Sequence, residues 1–239
     1  MARTEQRLTR KDLRQPDEFQ TLTRQGLAFV EDNRTAVMAA LASVIVLLLA
    51  IVAYRMISQS RESSASTAYT EARQLLTDKK YGEAATKFDD VATRYSGTSY
   101  GPLALLERGN ALLLADQPAE AITVYERFVQ NAPADYLRQL GHTRVGYAQE
   151  KLGKPAEAQK SFATAAAEPG PFAAEALFGA ARNAEVAGDS GKAKDLYTQL
   201  LAAHPMTEFR DVVSAHLIAL GGTPPAAKAA PDAASIIAE

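Results

Sequence analysis

The sequence predicts an all-α chain in which one apolar helix near the N-terminus is followed by a stack of about four helical hairpins. Two observations carry this. Thr35 to Tyr54 is an uncharged run of twenty residues held between Arg34 and Arg55. Further on, Ala84, Ala121, Ala158 and Ala193 recur at intervals of 37, 37 and 35 residues, and four residues after each stands an aromatic: Phe88, Tyr125, Phe162 and Tyr197. A self-similar period of this length is the mark of stacked supersecondary units.

In chain order, residues 1–34 form a basic leader. Pro16 suits a first helical turn, and Asp17 and Glu18 complement the positive end of the helix that should begin there. Phe19, Leu22, Phe29 and Val30 then share one face of a 3.6-residue period, so this helix is amphipathic and suits a membrane surface or a partner. Residues 35–54 come next. Twenty helical residues at about 1.5 Å each span the roughly 30 Å hydrocarbon core of a bilayer. An export signal has a shorter apolar stretch and a shorter basic start than these 34 preceding residues. A soluble core helix would carry a polar stripe, whereas only Thr35 and Ser43 interrupt this run and both can bond to their own helix. The sequence therefore predicts a retained transmembrane helix.

Seven Lys or Arg residues precede the span and three lie in the twenty residues after it, which favours a cytoplasmic N-terminus and a domain on the other side. Over only the twenty residues before Thr35 the bias disappears, so the orientation rests on the whole leader. Within the span, Ala36 with Ala40 and Ala39 with Ser43 are small-residue pairs that suit packing on another span, so self-association stays open. Residues 55–65, with "SQSRESSAS", read as a serine-rich linker or as a helical continuation of the span. Residues 66–220 are the repeat domain. Residues 221–239, rich in Ala and Pro, read as a disordered tail.

In the repeats, a small residue stands twelve before each conserved-spacing alanine (Ala72, Gly109, Gly146, Ala181), and a helix stop or its equivalent twelve after (Ser96, Pro133, Gly170, Pro205). Small residues on two consecutive helices let their backbones approach, the aromatic one turn later fills the space beside them, and Pro or Gly ends the second helix. These positions resemble the tetratricopeptide repeat, most closely in "LALLERGNALLLADQPAEAITVYERFVQNAP". The spacing departs from the family's 34 residues, Ser96 replaces Pro, and Ala68 and His142 stand where the family often has a bulky residue. The whole chain, with its leader motif "RKDLRQPDEFQTL", single span and repeats, also resembles the bacterial YfgM-like group of ancillary SecYEG translocon subunits. That resemblance implies a single-pass inner-membrane protein with a periplasmic repeat domain, whose partners are translocon subunits, periplasmic chaperones or secreted chains.

Several function classes are disfavoured. A net charge of -2 with interspersed signs provides no field for nucleic acid, and the absence of cysteine removes thiol nucleophiles, thiolate metal sites and a lipid-bearing cysteine. His142, His204 and His216 lack metal-ligand spacing. "GDSGKA", at Gly188 to Ala193, has its glycines too close for a phosphate loop and reads as a hairpin turn. No pair of carboxylates singles itself out for acid–base work. The expectation is a non-enzymatic protein without cofactor or metal. Stacked repeats instead form a concave face lined by the first helix of each unit. The resemblance places Tyr69 and Arg73, Leu106 and Asn110, Thr143 and Tyr147, and Phe178 and Arg182 on that face. Aromatics interleaved with Arg and Asn suit an extended or helical peptide segment. The alternative reading is an envelope-assembly or cell-division scaffold.

Overall fold

The computed structural model describes residues 18–226, and every regular element among them is an α-helix. Residues 1–17 of the leader and 227–239 of the tail lie outside the described residues. The helices are α1 (Glu18–Asp32), α2 (Arg34–Thr77), α3 (Tyr81–Arg94), α4 (Tyr100–Leu114), α5 (Pro118–Asn131), α6 (Asp135–Lys151), α7 (Pro155–Ala167), α8 (Ala173–Val186), α9 (Ser190–Ala203) and α10 (Arg210–Ala219). The chain divides into two compact units, residues 1–59 and 60–239, with α2 contributing to both.

In the first unit, α1 passes into α2 at Asn33, whose side chain donates to the carbonyl of Phe29 at 3.0 Å. Leu22, Phe29 and Val30 of α1 are exposed. The apolar part of α2 is exposed on all sides, from Met38 through Leu49 to Tyr54. Ser43 donates its hydroxyl to the carbonyl of Ala39 at 2.8 Å, so the polar group inside the run is satisfied within the helix. This helix is long and apolar enough to cross a membrane. Residues 55–65 are helical throughout.

The second unit is a succession of hairpins in which each helix packs on the next: α3 on α4, α4 on α5, and so on to α9 on α10. The end of α2 joins the first hairpin through Ala72 and Tyr69, which pack with Ala84 and Phe88 of α3. The four alanines of the period and their four aromatics are completely buried. Gly109 and Gly146 show why the first helix needs a small residue. A Cβ at Gly109 would clash with the ring of Tyr125, and one at Gly146 would stand 2.8 Å from three ring carbons of Phe162. Phe162 is held from the other side by Gly179 of α8, where a Cβ would come within 2.7 Å. The aromatic of the third hairpin thus fills a slot between two successive first helices.

The hairpin turns repeat one geometry. Lys79, Asp116, Gly153 and Gly188 all have positive φ, between 59° and 85°. The N–H of the following residue bonds five residues back, Lys80 to Leu75, Gln117 to Leu112, Lys154 to Gln149 and Asp189 to Ala184, at 2.8 to 2.9 Å. The N–H of each positive-φ residue also bonds to the carbonyl three residues back, at 2.9 to 3.2 Å, and the two bonds together satisfy the last carbonyls of the first helix and reverse the chain. Two of the helices that follow start on a proline whose missing N–H costs nothing there (Pro118, Pro155), and α9 is capped by Asp189, which accepts from the Lys192 N–H at 3.0 Å. "GDSGKA" is one of these turns. Gln139, completely buried on α6, closes the α7–α8 connection: its amide donates to the carbonyls of Ala165 and Glu168 and accepts from the Phe172 N–H, at 2.8 to 3.1 Å.

Candidate partner-binding face

The first helix of each hairpin carries the residues singled out in the sequence, and consecutive first helices are tied directly to one another. Tyr69 of α2 lies at 5.4 Å from Tyr100 of α4. Lys151 of α6 donates to the carbonyl of Leu113 on α4 at 2.6 Å. Tyr147 of α6 donates its hydroxyl to Glu175 of α8 at 2.8 Å. Phe178 of α8 stacks on Phe209, just before α10, at 4.9 Å and 11°. These links join successive first helices through residues that lie about a repeat apart in sequence.

At one end of the face, Tyr69 is half-buried between Phe88 and Tyr100. Burial pushes its hydroxyl above the ordinary tyrosine range, because the phenolate would lose water there. With Thr70, Arg73, Gln74, Thr77 and Tyr100 it lines an open cleft of about 400 Å³. Arg73 is exposed at its rim. Next along, Leu106 packs partly into the core, and Asn110 is engaged twice. Its carbonyl oxygen accepts from the Tyr125 hydroxyl at 2.7 Å and its amide donates to Glu107 at 3.2 Å.

The third and fourth hairpins bring Tyr147, Phe178 and Arg182 together. Tyr147 meets Phe162 edge-on at 5.0 Å, and the Arg144 guanidinium lies 6.0 Å from its ring centre. The Arg182 guanidinium lies 5.3 Å over the ring of Phe178 and grips Glu150 of α6 through both carboxylate oxygens, at 2.6 and 2.7 Å. A two-point arginine–carboxylate contact of this kind fixes direction as well as distance, so it orients α8 on α6. Burial first, and then the hydrogen bond to Glu175, push the Tyr147 hydroxyl well above its usual range.

One expectation needs correction. Thr143 is completely buried, and its hydroxyl is spent on the carbonyl of Gln139 one turn back, at 2.9 Å. A short β-branched side chain at this position does not reach the surface that Tyr69, Leu106 and Phe178 reach from the equivalent positions, so it offers a partner nothing. Tyr100, Arg144 and Glu150 contact Tyr69, Tyr147 and Arg182 and were not among the expected residues. Tyr100 stands at the start of α4 and Glu150 near the end of α6, off the spacing that selects mid-helix positions.

The histidines lie apart. His142 sits 3.5 Å from Glu168, and His216 lies 2.9 Å from Glu185, which also accepts from Tyr197, while His204 closes α9. Among the described residues, no three His, Asp or Glu side chains gather as a metal site requires.

Residues 28–222 match the family model described as the tetratricopeptide repeat-like domain. No curated protein sequence matches the chain. Among solved structures, the chain is similar to the nearly identical TPR-like repeats of a Podosopora anserina candidate kinesin light chain (17% identity, TM-score 0.53, 66% of this chain and 86% of that one). It is also similar to MamA from Desulfovibrio magneticus RS-1 (17% identity, TM-score 0.50, 66% and 83%). A third similar structure is PilW, a type IV pilus biogenesis factor (19% identity, TM-score 0.50, 66% and 70%). At these identities the likeness is one of fold.

Proposed function

The chain belongs to the tetratricopeptide repeat-like domain family, and from that membership and the side chains on its first-helix face we propose that it is a non-enzymatic protein-interaction module held at a membrane by residues 35–54. Repeat stacks of this family are interaction scaffolds in general. The observation that carries the reading is the set of half-buried aromatics, Tyr69, Tyr147 and Phe178, each fixed by ring contacts and flanked by an arginine. Pre-set aromatic and arginine side chains bind without losing much rotamer freedom, which is why such residues dominate binding energy at interfaces. Arg73, Leu106, Asn110 and Arg182 complete the proposed face. Thr143 does not take part.

The resemblance of leader, span and repeats to the YfgM-like group supports a finer reading. The N-terminus is cytoplasmic, the repeats face the periplasm, and the protein is an ancillary subunit of the Sec translocon that links it to chaperones or emerging chains. The anchor then contributes by raising the local concentration of the repeat face beside a chosen membrane complex. The experiment places a photo-crosslinking residue at Leu48 and, in a separate chain, at Tyr147. Translocon subunits are expected from Leu48, and secreted chains or periplasmic chaperones from Tyr147. Cell-wall or division proteins alone in both sets would replace this reading with the envelope scaffold, and cytoplasmic proteins at Tyr147 would reverse the orientation.

A further inference from the structure

Residues 21–32 of α1 are exposed on every side, yet the helix has two unlike faces. Leu22, Gly26, Phe29 and Val30 stand at offsets of 0, 4, 7 and 8, which share one face of a helix, and Leu27 borders them. Arg24, Ala28, Glu31 and Asp32 repeat the same offsets two residues later, which puts them on the opposite face. Leu22, Phe29 and Val30 are 68%, 64% and 44% accessible.

An apolar face of this kind takes a protein or a lipid surface, and its position favours lipid. Asn33 is the one residue between α1 and α2, and there its side-chain amide and its backbone N–H both donate to the carbonyl of Phe29 at 3.0 Å. Phe29 stands six residues before Thr35, where the apolar run begins, and Leu22 thirteen, roughly 9 Å and 20 Å along a helix. The polar layer on each side of the hydrocarbon core is roughly 5 to 8 Å deep. With α1 upright on the span, Leu22 would therefore stand in water. With α1 turned at Asn33 to lie along the surface, Leu22, Gly26, Phe29 and Val30 reach one depth together. Residues 21–32 set Arg24 against Glu31 and Asp32, so burial of the apolar face, not attraction to anionic headgroups, would hold the helix there.

We infer that α1 lies in the interface of the membrane that α2 crosses, with Leu22, Gly26, Phe29 and Val30 turned into the acyl boundary and Arg24, Ala28, Glu31 and Asp32 toward water. The inference rests on residues 35–54 being a span. Interfacial anchors set the tilt and rotation of a span, so this arm selects which side of α2 meets a neighbouring helix.

The chain has no cysteine, so a nitroxide on one introduced cysteine reports its surroundings without background. The full-length protein is labelled singly at Leu22, Phe29, Arg24, Ala28 or Leu48 and placed in phosphatidylcholine vesicles, where no anionic lipid can draw in the basic leader. The same cysteines are reacted with a water-soluble maleimide in opened cell membranes. In the vesicles, oxygen, which gathers among acyl chains, should broaden the signals at Leu22 and Phe29 more than a water-soluble nickel complex does, and the order should reverse at Arg24 and Ala28. Leu22→Asp with Val30→Asp should abolish the oxygen preference at Phe29. Leu48 checks the span separately. Lipid exposure at Leu48 with water exposure at Leu22 overturns the inference and leaves the span standing, whereas water exposure at Leu48 overturns both. Protection of Leu22 from oxygen and nickel alike, lost when lipid per protein is raised, would mark a contact between copies. Protection of Leu22 from the maleimide in cell membranes, with water exposure in vesicles, would assign the face to a partner protein. Either result overturns the inference.

Discussion

Gly146 shows how a closed slot holds a position to a residue without a side chain. A Cβ there stands 2.8 Å from three carbons of the Phe162 ring, which is completely buried and has Gly179 of α8 closing its other side. The ring has nowhere to go. Gly146→Val should therefore cost about 1 to 3 kcal/mol of stability, the usual range for overpacking, against a gain of well under 1 kcal/mol from helix propensity. Urea melts of Gly146→Val alone and in a Phe162→Leu background test the cause, since the smaller ring substitute should recover part of the loss. An equal cost in both backgrounds would show that Phe162 is not the obstacle. This slot was legible in the sequence, because a small residue, an alanine and an aromatic at fixed offsets leave few ways to pack two helices. The polar residues were not. Gln139 finds its partners 26 to 33 residues away and Arg182 grips Glu150 across 32, distances that no periodic pattern marks. Thr143 sits at the same offset as Tyr69, Leu106 and Phe178, yet burial there depends on how far each side chain extends.

Among the elements, the four hairpin turns share a left-handed residue whose identity the sequence obscures. Gly153 and Gly188 take positive φ without a steric penalty, whereas Lys79 and Asp116 take it with a Cβ that crowds the backbone. Their spacing of 37, 37 and 35 residues is the spacing of the four alanines, so the turn is part of the repeat even where glycine is absent. Lys79→Gly should stabilise the first hairpin by about 0.5 to 1 kcal/mol, because relief of the strained backbone outweighs the extra freedom that glycine gives the unfolded chain. The same change at Lys80, whose φ is -88°, should destabilise. Opposite shifts in melting temperature for the two variants are the expected result, and a loss of stability at both positions would remove the strain argument. The serine-rich segment after the span left two readings open, since serine suits both a linker and a helix that satisfies its hydroxyls internally. Thr67 and Thr70 show the second route, each bonding to the carbonyl four residues before it, at 3.2 and 2.8 Å.

Over the whole repeat stack, the tyrosines couple stability to alkaline pH. Burial raises the hydroxyls of Tyr69, Tyr125, Tyr147 and Tyr197 above their ordinary value, and hydrogen bonds to Glu175 and Glu185 raise Tyr147 and Tyr197 further. In the unfolded chain each loses its proton near pH 10, while in the stack each keeps it to higher pH. The folded state therefore binds more protons above pH 10, so the stability these groups contribute is present below that point and is lost as pH rises beyond it. The four lie on α2, α5, α6 and α9, so the loss is shared across the stack. Each such tyrosine steepens the fall by at most about 1.4 kcal/mol per pH unit. Tyr125→Phe removes one of them along with the 2.7 Å bond to Asn110, a loss of about 1 kcal/mol at neutral pH. Urea melts at pH 8, 10 and 11 should show the variant less stable than the parent at pH 8 and closing on it by pH 11. A constant gap across that range would mean that Tyr125 ionises in the stack as readily as in the unfolded chain, and the burial assigned to its hydroxyl would then be wrong.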